Sequence, residues 1–182
     1  MAQTISGYDV VAFIKKADAP KGTVAKLVPY QTSDTFNLKR DSDTTKTKTG
    51  NQSKKGTLET EFSLEMLNND SQQAKEFRDS VVNDEILDVW RVYRKVKNDK
   101  GNFKAYYFQV KVTEDNESNP VDDDSTRSLS FSVITDPLEG YLPLPDEAKE
   151  AMNFVFKGLD DTKLDPETGE TITNTTTQGA GK

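Results

Sequence analysis

Residues 57–66 read Thr-Leu-Glu-Thr-Glu-Phe-Ser-Leu-Glu-Met. Leu58, Thr60, Phe62, Leu64 and Met66 fall on one side of an extended chain; Glu59, Glu61, Ser63 and Glu65 fall on the other. A period of two marks a strand with one face on a core and one face in water. Working outward, residues 35–40 alternate in the same way, with Phe36 and Leu38 opposite Thr35, Asn37 and Lys39. Between the two strands lie residues 41–55, DSDTTKTKTGNQSKK, polar at every position. So long a structureless connection is unusual in a compact domain, and this one reads as a functional arm on a hairpin.

On the C-terminal side, Asp70 or Ser71 caps a helix running to about Val82, with Ala74, Phe77 and Val81 as its apolar stripe. Residues 86–97 and 103–113 read as long strands around Asn98-Asp99-Lys100-Gly101-Asn102, a hairpin turn with Gly at its positive-φ position. Residues 114–124, EDNESNPVDDD, read as an acidic loop, and residues 127–135 as a strand alternating Leu129, Phe131 and Val133 against serines. Towards the N-terminus, residues 8–15 read as a strand, 20–22 as a turn, and 25–31 as a short strand whose Pro29 belongs at an edge or bulge. Prolines turn the chain repeatedly over 137–145, a short helix starts at 145–150, and residues 152–156 suit helix or strand equally. These elements predict a mainly β fold, a sandwich or strongly curved sheets with one flanking α-helix. One domain is expected over residues 1–160, followed by a flexible acidic, Thr-rich tail over 161–182.

The chain of 182 residues contains neither cysteine nor histidine. That removes disulfides, thiol nucleophiles, and the commonest general base and metal ligand. Trp90, which could stack on a sugar, sits inside an alternating strand, so paired carboxylates are the only remaining catalytic material and carry no glycosidase signal. Residues 160–170, DDTKLDPETGE, misplace the ligands and the turn glycine of a calcium loop, and residues 122–124 read as solvated acids. Phosphate-binding glycine motifs are absent from the sequence. No enzyme activity, metal or cofactor is expected.

Net charge is −7 and the isoelectric point about 4.8, against tight nucleic-acid binding through phosphate neutralisation, though not against a passage for nucleic acid. The opening residues do not read as a signal peptide, and no segment reaches the length of a membrane helix, so the expected site of synthesis is a cytoplasm.

Residues 1–15 (MAQTISGYDVVAFIK), 31–50 (QTSDTFNLKRDSDTTKTKTG), 54–67 (KKGTLETEFSLEML) and 84–93 (DEILDVWRVY), with the acidic, Thr-rich C-terminus, resemble the major tail protein family of siphophages infecting Gram-positive bacteria. The resemblance spans roughly residues 1–160. It implies a structural virion subunit, made in the host cytoplasm, that forms hexameric rings stacked into a tail tube. The inner sheets of neighbouring subunits would join into a continuous β-barrel around the lumen. The partners implied are further copies of the chain and the tape-measure, tail-terminator and distal tail proteins, with DNA only in passage. The family's inter-ring loop matches residues 41–55, whose Lys46, Lys48, Lys54 and Lys55 are expected to meet acidic surface on a neighbour, such as residues 114–124. Glu59, Glu61 and Glu65 are expected to line the lumen. Alternatives are a tube subunit of a contractile or secretion apparatus, and a soluble ligand-binding sandwich or barrel with Trp90, Tyr93, Tyr106 and Phe108 around a pocket.

Overall fold

The computed structural model describes residues 4–146, 148 and 149, giving the backbone alone for residues 41–47 and 51–55. A 3-10 turn at Gly7–Asp9 leads into β1 (Val10–Lys16), β2 (Lys26–Leu27), β3 (Gln31–Thr47), β4 (Gly50–Leu67), helix α1 (Gln72–Asn83), β5 (Leu87–Lys97), β6 (Phe103–Ser118), β7 (Thr126–Val133) and β8 (Leu138–Leu142). All pairings are antiparallel, in the order β2-β1-β5-β6-β7-β4-β3. β8 lies beside the first part of β6, and β7 beside its second part.

This single sheet rolls over on itself, because the apolar faces of both halves must leave water together. Phe36 of β3 stacks on Phe108 of β6 at 5.5 Å between ring centroids, although β4 and β7 intervene in the sheet order. The Gln31 amide closes the roll, accepting from Ala12 N at 2.9 Å and donating to Ala12 O and Val28 O. Ala12, Ile14, Leu87, Val89, Phe108, Val110, Phe62, Leu64, Met66, Leu129 and Phe131 fill the interior. A second apolar set, Phe13, Val92, Phe103 and Ala105, is buried on the reverse face of β1, β5 and β6.

α1 lies against the core, with Ser71 as its N-cap accepting from Ala74 N at 3.2 Å. Its buried stripe is Gln73, Ala74, Phe77 and Ser80, whereas Val81 is 40% exposed. The expected stripe is therefore corrected at its last member. Ser80 takes the inward position because its hydroxyl donates to Glu85 O and accepts from Val112 N, the backbone donor of β6 just past the end of β5.

Four strand boundaries also differ from expectation. The polar segment at 41–55 is not an irregular loop: β3 and β4 stay paired to a two-residue turn at Lys48-Thr49, with a register shift between Arg40 and Ser42. Half of the supposed acidic loop is strand, since β6 runs to Ser118. Leu138–Leu142 is a strand despite its flanking prolines, which fall outside the paired residues. The strand expected over 25–31 is cut to Lys26–Leu27, because Tyr30 adopts φ 53° and turns the chain into β3.

The chain divides into two units, Met1–Leu144 and Pro145–Lys182. Of the second, the described residues Asp146, Ala148 and Lys149 are helical, with Lys149 N donating to Pro145 O. The readings at residues 152–156 and 161–182 lie outside the described residues.

Candidate functional site

In antiparallel strands, registered partners point to the same face, so the strand register defines the sheet's polar face row by row. One row runs Asn37, Glu61, Ser132, Lys111; the next runs Thr35, Ser63, Ser130, Glu114; a third runs Ser33, Glu65, Ser128, Asn116. Lys39 and Glu59 pair beyond them. Glu59, Glu61 and Glu65 are all exposed there, opposite buried Phe62, Leu64 and Met66. The strand's period of two thus survives intact in three dimensions.

The face is a field of hydroxyls and amides with spaced carboxylates. Asn37 Nδ2 donates to Glu61 Oε2 at 3.2 Å, and Lys39 Nζ lies 3.6 Å from Glu59 Oε2. Asn116 Nδ2 donates to Glu114 Oε1 at 2.9 Å. Lys111 is paired with Asp84, at the left-handed C-cap of α1. Glu114 joins the three expected carboxylates, and sequence reasoning missed it by assigning it to a loop. Val112 and Glu114 bracket a register shift, so alternation carried past Val112 would set Glu114 on the core side, where the structure does not have it.

Two edges of this sheet are open among the described residues. β3 pairs only with β4, and β6 from residue 111 to 118 has β7 as its one strand neighbour, with Val112 N on the outer side already bonded to Ser80 Oγ of α1. Neither edge carries proline, and an unpaired edge of this length is a template for another chain. β8, by contrast, is a five-residue edge bracketed by Pro137 and Pro143.

Of the four lysines expected on the arm, Lys48 sits in the two-residue turn and is exposed. The side chains of Lys46, Lys54 and Lys55 lie outside the described residues; their backbones belong to the paired hairpin. The hairpin tip and the β6–β7 connection lie at opposite ends of the sheet, because Ser118, Thr126 and Leu67 are in register at the far end of β4. With about 3.3 Å per residue, the 18-residue β4 spans roughly 60 Å.

The four aromatic residues that could have framed a ligand pocket are split between faces. Phe108 is fully buried in the core, and Trp90 lies on the reverse face against Tyr107, with 5.1 Å between ring centroids. Tyr93 and Tyr106 meet edge to face at 6.1 Å, with Lys104 over both rings. The Tyr106 hydroxyl donates to Glu139 Oε2 at 2.6 Å and Lys104 Nζ pairs with Glu139 Oε1 at 2.9 Å, fastening β8 to β6. The hydroxyl and the ammonium hold the Glu139 carboxyl below its ordinary range, while the carboxylate pushes the Tyr106 hydroxyl and Lys104 up. These are packing and fastening roles. Among the described residues there is no group of three or more acids that could hold a metal ion, and no helix is long and apolar enough to cross a membrane.

Among the described residues, a rolled antiparallel sheet with α1 against it, strand edges left without a strand neighbour and a long projecting hairpin is the architecture of a structural subunit rather than of a catalytic or ligand-binding domain. The phage tail tube protein family matches residues 4–137, and the chain belongs to that family. It is a structural subunit of a phage tail tube and hence a virion component. Its fold is similar to the tail tube of siphophage SPP1, at TM-score 0.68 and 23% identity over 82% of this chain and 86% of that one. It is also similar to the tail of a gene transfer agent particle resolved with C6 symmetry, at TM-score 0.57 and 10% identity over 74% and 98% of the two chains. A protein of the six-fold symmetrised anti-feeding prophage baseplate gives TM-score 0.56 and 9% identity over 79% of this chain and all of that one. No match emerges among curated protein sequences.

Proposed function

We propose that the chain assembles into six-membered rings, stacked into a tube that conducts DNA out of the virion, and that it performs no catalysis. The observation that carries this reading is the pair of open edges on the sheet formed by β3, β4, β7 and the distal part of β6. Joining the first part of β3 of one copy to residues 113–118 of the next would pair the free part of β6 and close a barrel of four strands per subunit, leaving the distal hairpin outside the joint. The C6 symmetry of the gene transfer agent tail supports six as the ring size.

In such a barrel the apolar face of the sheet is already committed to the subunit's own core, so the hydroxyl and carboxylate face turns to the bore. Glu59, Glu61, Glu65 and Glu114 then form bands of negative charge, within a ring whose total is about −42, six times the −7 of one chain. Such a wall repels phosphates, whereas a basic wall would retain the passing genome. DNA is a transient occupant only. The β3–β4 hairpin, with Lys46, Lys48, Lys54 and Lys55, reaches the adjacent ring. The tube ends meet tape-measure, terminator and distal tail proteins, and synthesis takes place in the host cytoplasm. Residues 1–160 serve as the tube domain, and 161–182 form a flexible tail. The second reading is a tube subunit of a related contractile or secretion apparatus, and the likeness to a protein of the anti-feeding prophage baseplate is the observation on its side.

Deleting residues 44–53 tests the arm. The variant should fold with an unchanged circular dichroism spectrum apart from the lost hairpin, yet form no tubes by negative-stain microscopy. Normal tubes from it would end the arm reading.

A further inference from the structure

Within one copy a row of the polar face runs Thr35, Ser63, Ser130, Glu114, and the next runs Ser33, Glu65, Ser128, Asn116. A level joint would bring Thr35 beside Glu114 of the next copy and leave the strands upright, whereas barrel strands tilt by about 35–45°. Each copy must therefore step along its neighbour. The step is even, because an odd one turns core residues to the bore. With four strands per copy, about 3.3 Å per residue and about 4.8 Å between strands, a step of two residues tilts the strands by roughly 19°, four by roughly 35° and six by roughly 46°.

Chirality gives the step its direction. Val112 turns its side chain into the core and its N–H away from β7. For an L-residue this orders the strands β6, β7, β4, β3 from left to right, seen from the core side with β3 running upward. Barrel strands coil right-handedly, so a row followed rightward sinks and meets β6 of the next copy at a later residue than Glu114. Two features bound its size. β3 holds one register against β4 from Ser33 to Arg40 and shifts between Arg40 and Ser42. β6 is open outward only from Thr113, because Ser80 Oγ takes Val112 N at 3.1 Å and β5 pairs from Val110 back. In steps of zero and two, the regular run of β3 would pass Thr113 and strike α1 and β5. A step of six would draw the irregular step at Arg40–Ser42 into the joint. Only a step of four ends the regular run beside Thr113, where β3 shifts register. A level joint also sets Asp34 opposite Asp115, whereas a step of four sets Lys39 opposite Glu114.

We infer that the joint between copies has a single register, in which Lys39, Asn37 and Thr35 of one copy lie opposite Glu114, Asn116 and Ser118 of the next. The occupant of the β6 edge is thus a second copy of this chain, and the placement rests on the ring reading above. Lys39, 3.6 Å from Glu59 within its own copy, stands between two carboxylates, one from each copy. Asp115 and Glu117 come to the joint with their charges already held by Arg127 and Arg78 of their own chain, so neither enters it as a bare charge.

The chain has no cysteine, so engineered disulfides read the register directly. Core-facing residues of both edges aim their backbone groups across the joint, as Val112 does. Asn37 and Asn116 then face each other as a pair without mutual hydrogen bonds, with Cα atoms about 4.5 Å apart, inside the range a disulfide spans. Diagonal neighbours stand about 7–8 Å apart, outside it. Asn37, Glu114, Asn116 and Ser118 are all exposed in the single copy, so replacing any of them leaves the core intact. The full chain carrying N37C is mixed in turn with chains carrying E114C, N116C or S118C, assembled into tubes and mildly oxidised. Because each chain holds one cysteine, every unlike disulfide joins two copies. Non-reducing electrophoresis with mass spectrometry should show the N37C–N116C dimer at least tenfold above the other two. Tubes in which N37C links to E114C or S118C instead would overturn the register and leave the ring reading in place. Tubes with no link in any mixture would overturn the edge joint itself, and failure of the normal chain to form tubes would overturn the ring reading.

Discussion

Replacing Phe77 with alanine should empty the seam between α1 and the sheet. The ring is fully buried and meets Phe131 edge to face, with 5.8 Å between centroids. Phe131 in turn lies 4.9 Å from Phe62, so the lost volume opens beneath the centre of the proposed inner wall. Truncation of a buried phenylalanine costs about 3–5 kcal/mol, combining lost transfer energy with an unfilled cavity. At about 2–4 °C per kcal/mol for a domain of this size, the melting temperature should fall by roughly 6–20 °C. Val81→Ala is the internal control: Val81 is 40% exposed, and its truncation should stay within about 0.5 kcal/mol. Urea denaturation of the unassembled subunit, followed by fluorescence of Trp90, the chain's one tryptophan, measures both. A loss below about 1 kcal/mol for Phe77→Ala, or equal losses for the two variants, would refute the packing argument.

Three further outcomes follow from particular contacts. Arg127 is 1% exposed and bonds Asp115 through both Nε and Nη2, so Arg127→Ala should cost about 3–5 kcal/mol in the same assay, whereas Arg127→Met with Asp115→Leu should be near neutral. A near-neutral Arg127→Ala would contradict the burial of the pair. The folded Glu139 carboxyl titrates below its unfolded value, so its contribution is present above about pH 4.5 and fades as pH falls through the folded value. Glu139→Gln should therefore flatten part of the acid limb of a thermal-melt series, and an identical limb would show that the carboxylate does not fasten β8. In phage carrying Glu59→Lys, Glu61→Lys and Glu65→Lys in assembled tails, DNA ejection should slow at low salt and recover at high salt. Kinetics unchanged across salt would remove these residues from the bore.

Where a segment buries one face, its structure was legible in the sequence. β4 announced itself through Phe62, Leu64 and Met66, and β7 through Leu129 and Phe131, because half-burial imposes a period of two. The hairpin at 41–55 has no apolar face, so its strand structure rests on backbone pairing between β3 and β4, which leaves no hydrophobic signature. Glu114 was hidden by the register shift after Val112, which moves it to the polar face despite its even spacing from buried Val110 and Val112. Val81 looked the better core residue by hydrophobicity, but Ser80 sits inside because α1 must supply a partner for the open backbone of β6. β8 was obscured by Pro137 and Pro143, which lie just outside its paired residues. The lysines of the β3–β4 hairpin were legible as composition, while the position of their backbone at the far end of the sheet from the β6–β7 turn emerged only from the strand register.

The central claim is tested most directly by cryo-electron microscopy of tubes grown from the purified chain, at a resolution that traces strands. The account predicts six-fold rings in which β3 of each copy pairs with residues 113–118 of its neighbour, with Glu59, Glu61, Glu65 and Glu114 facing the bore. A tube with those four carboxylates on its outer surface, or closed through any other edge of the sheet, would contradict it.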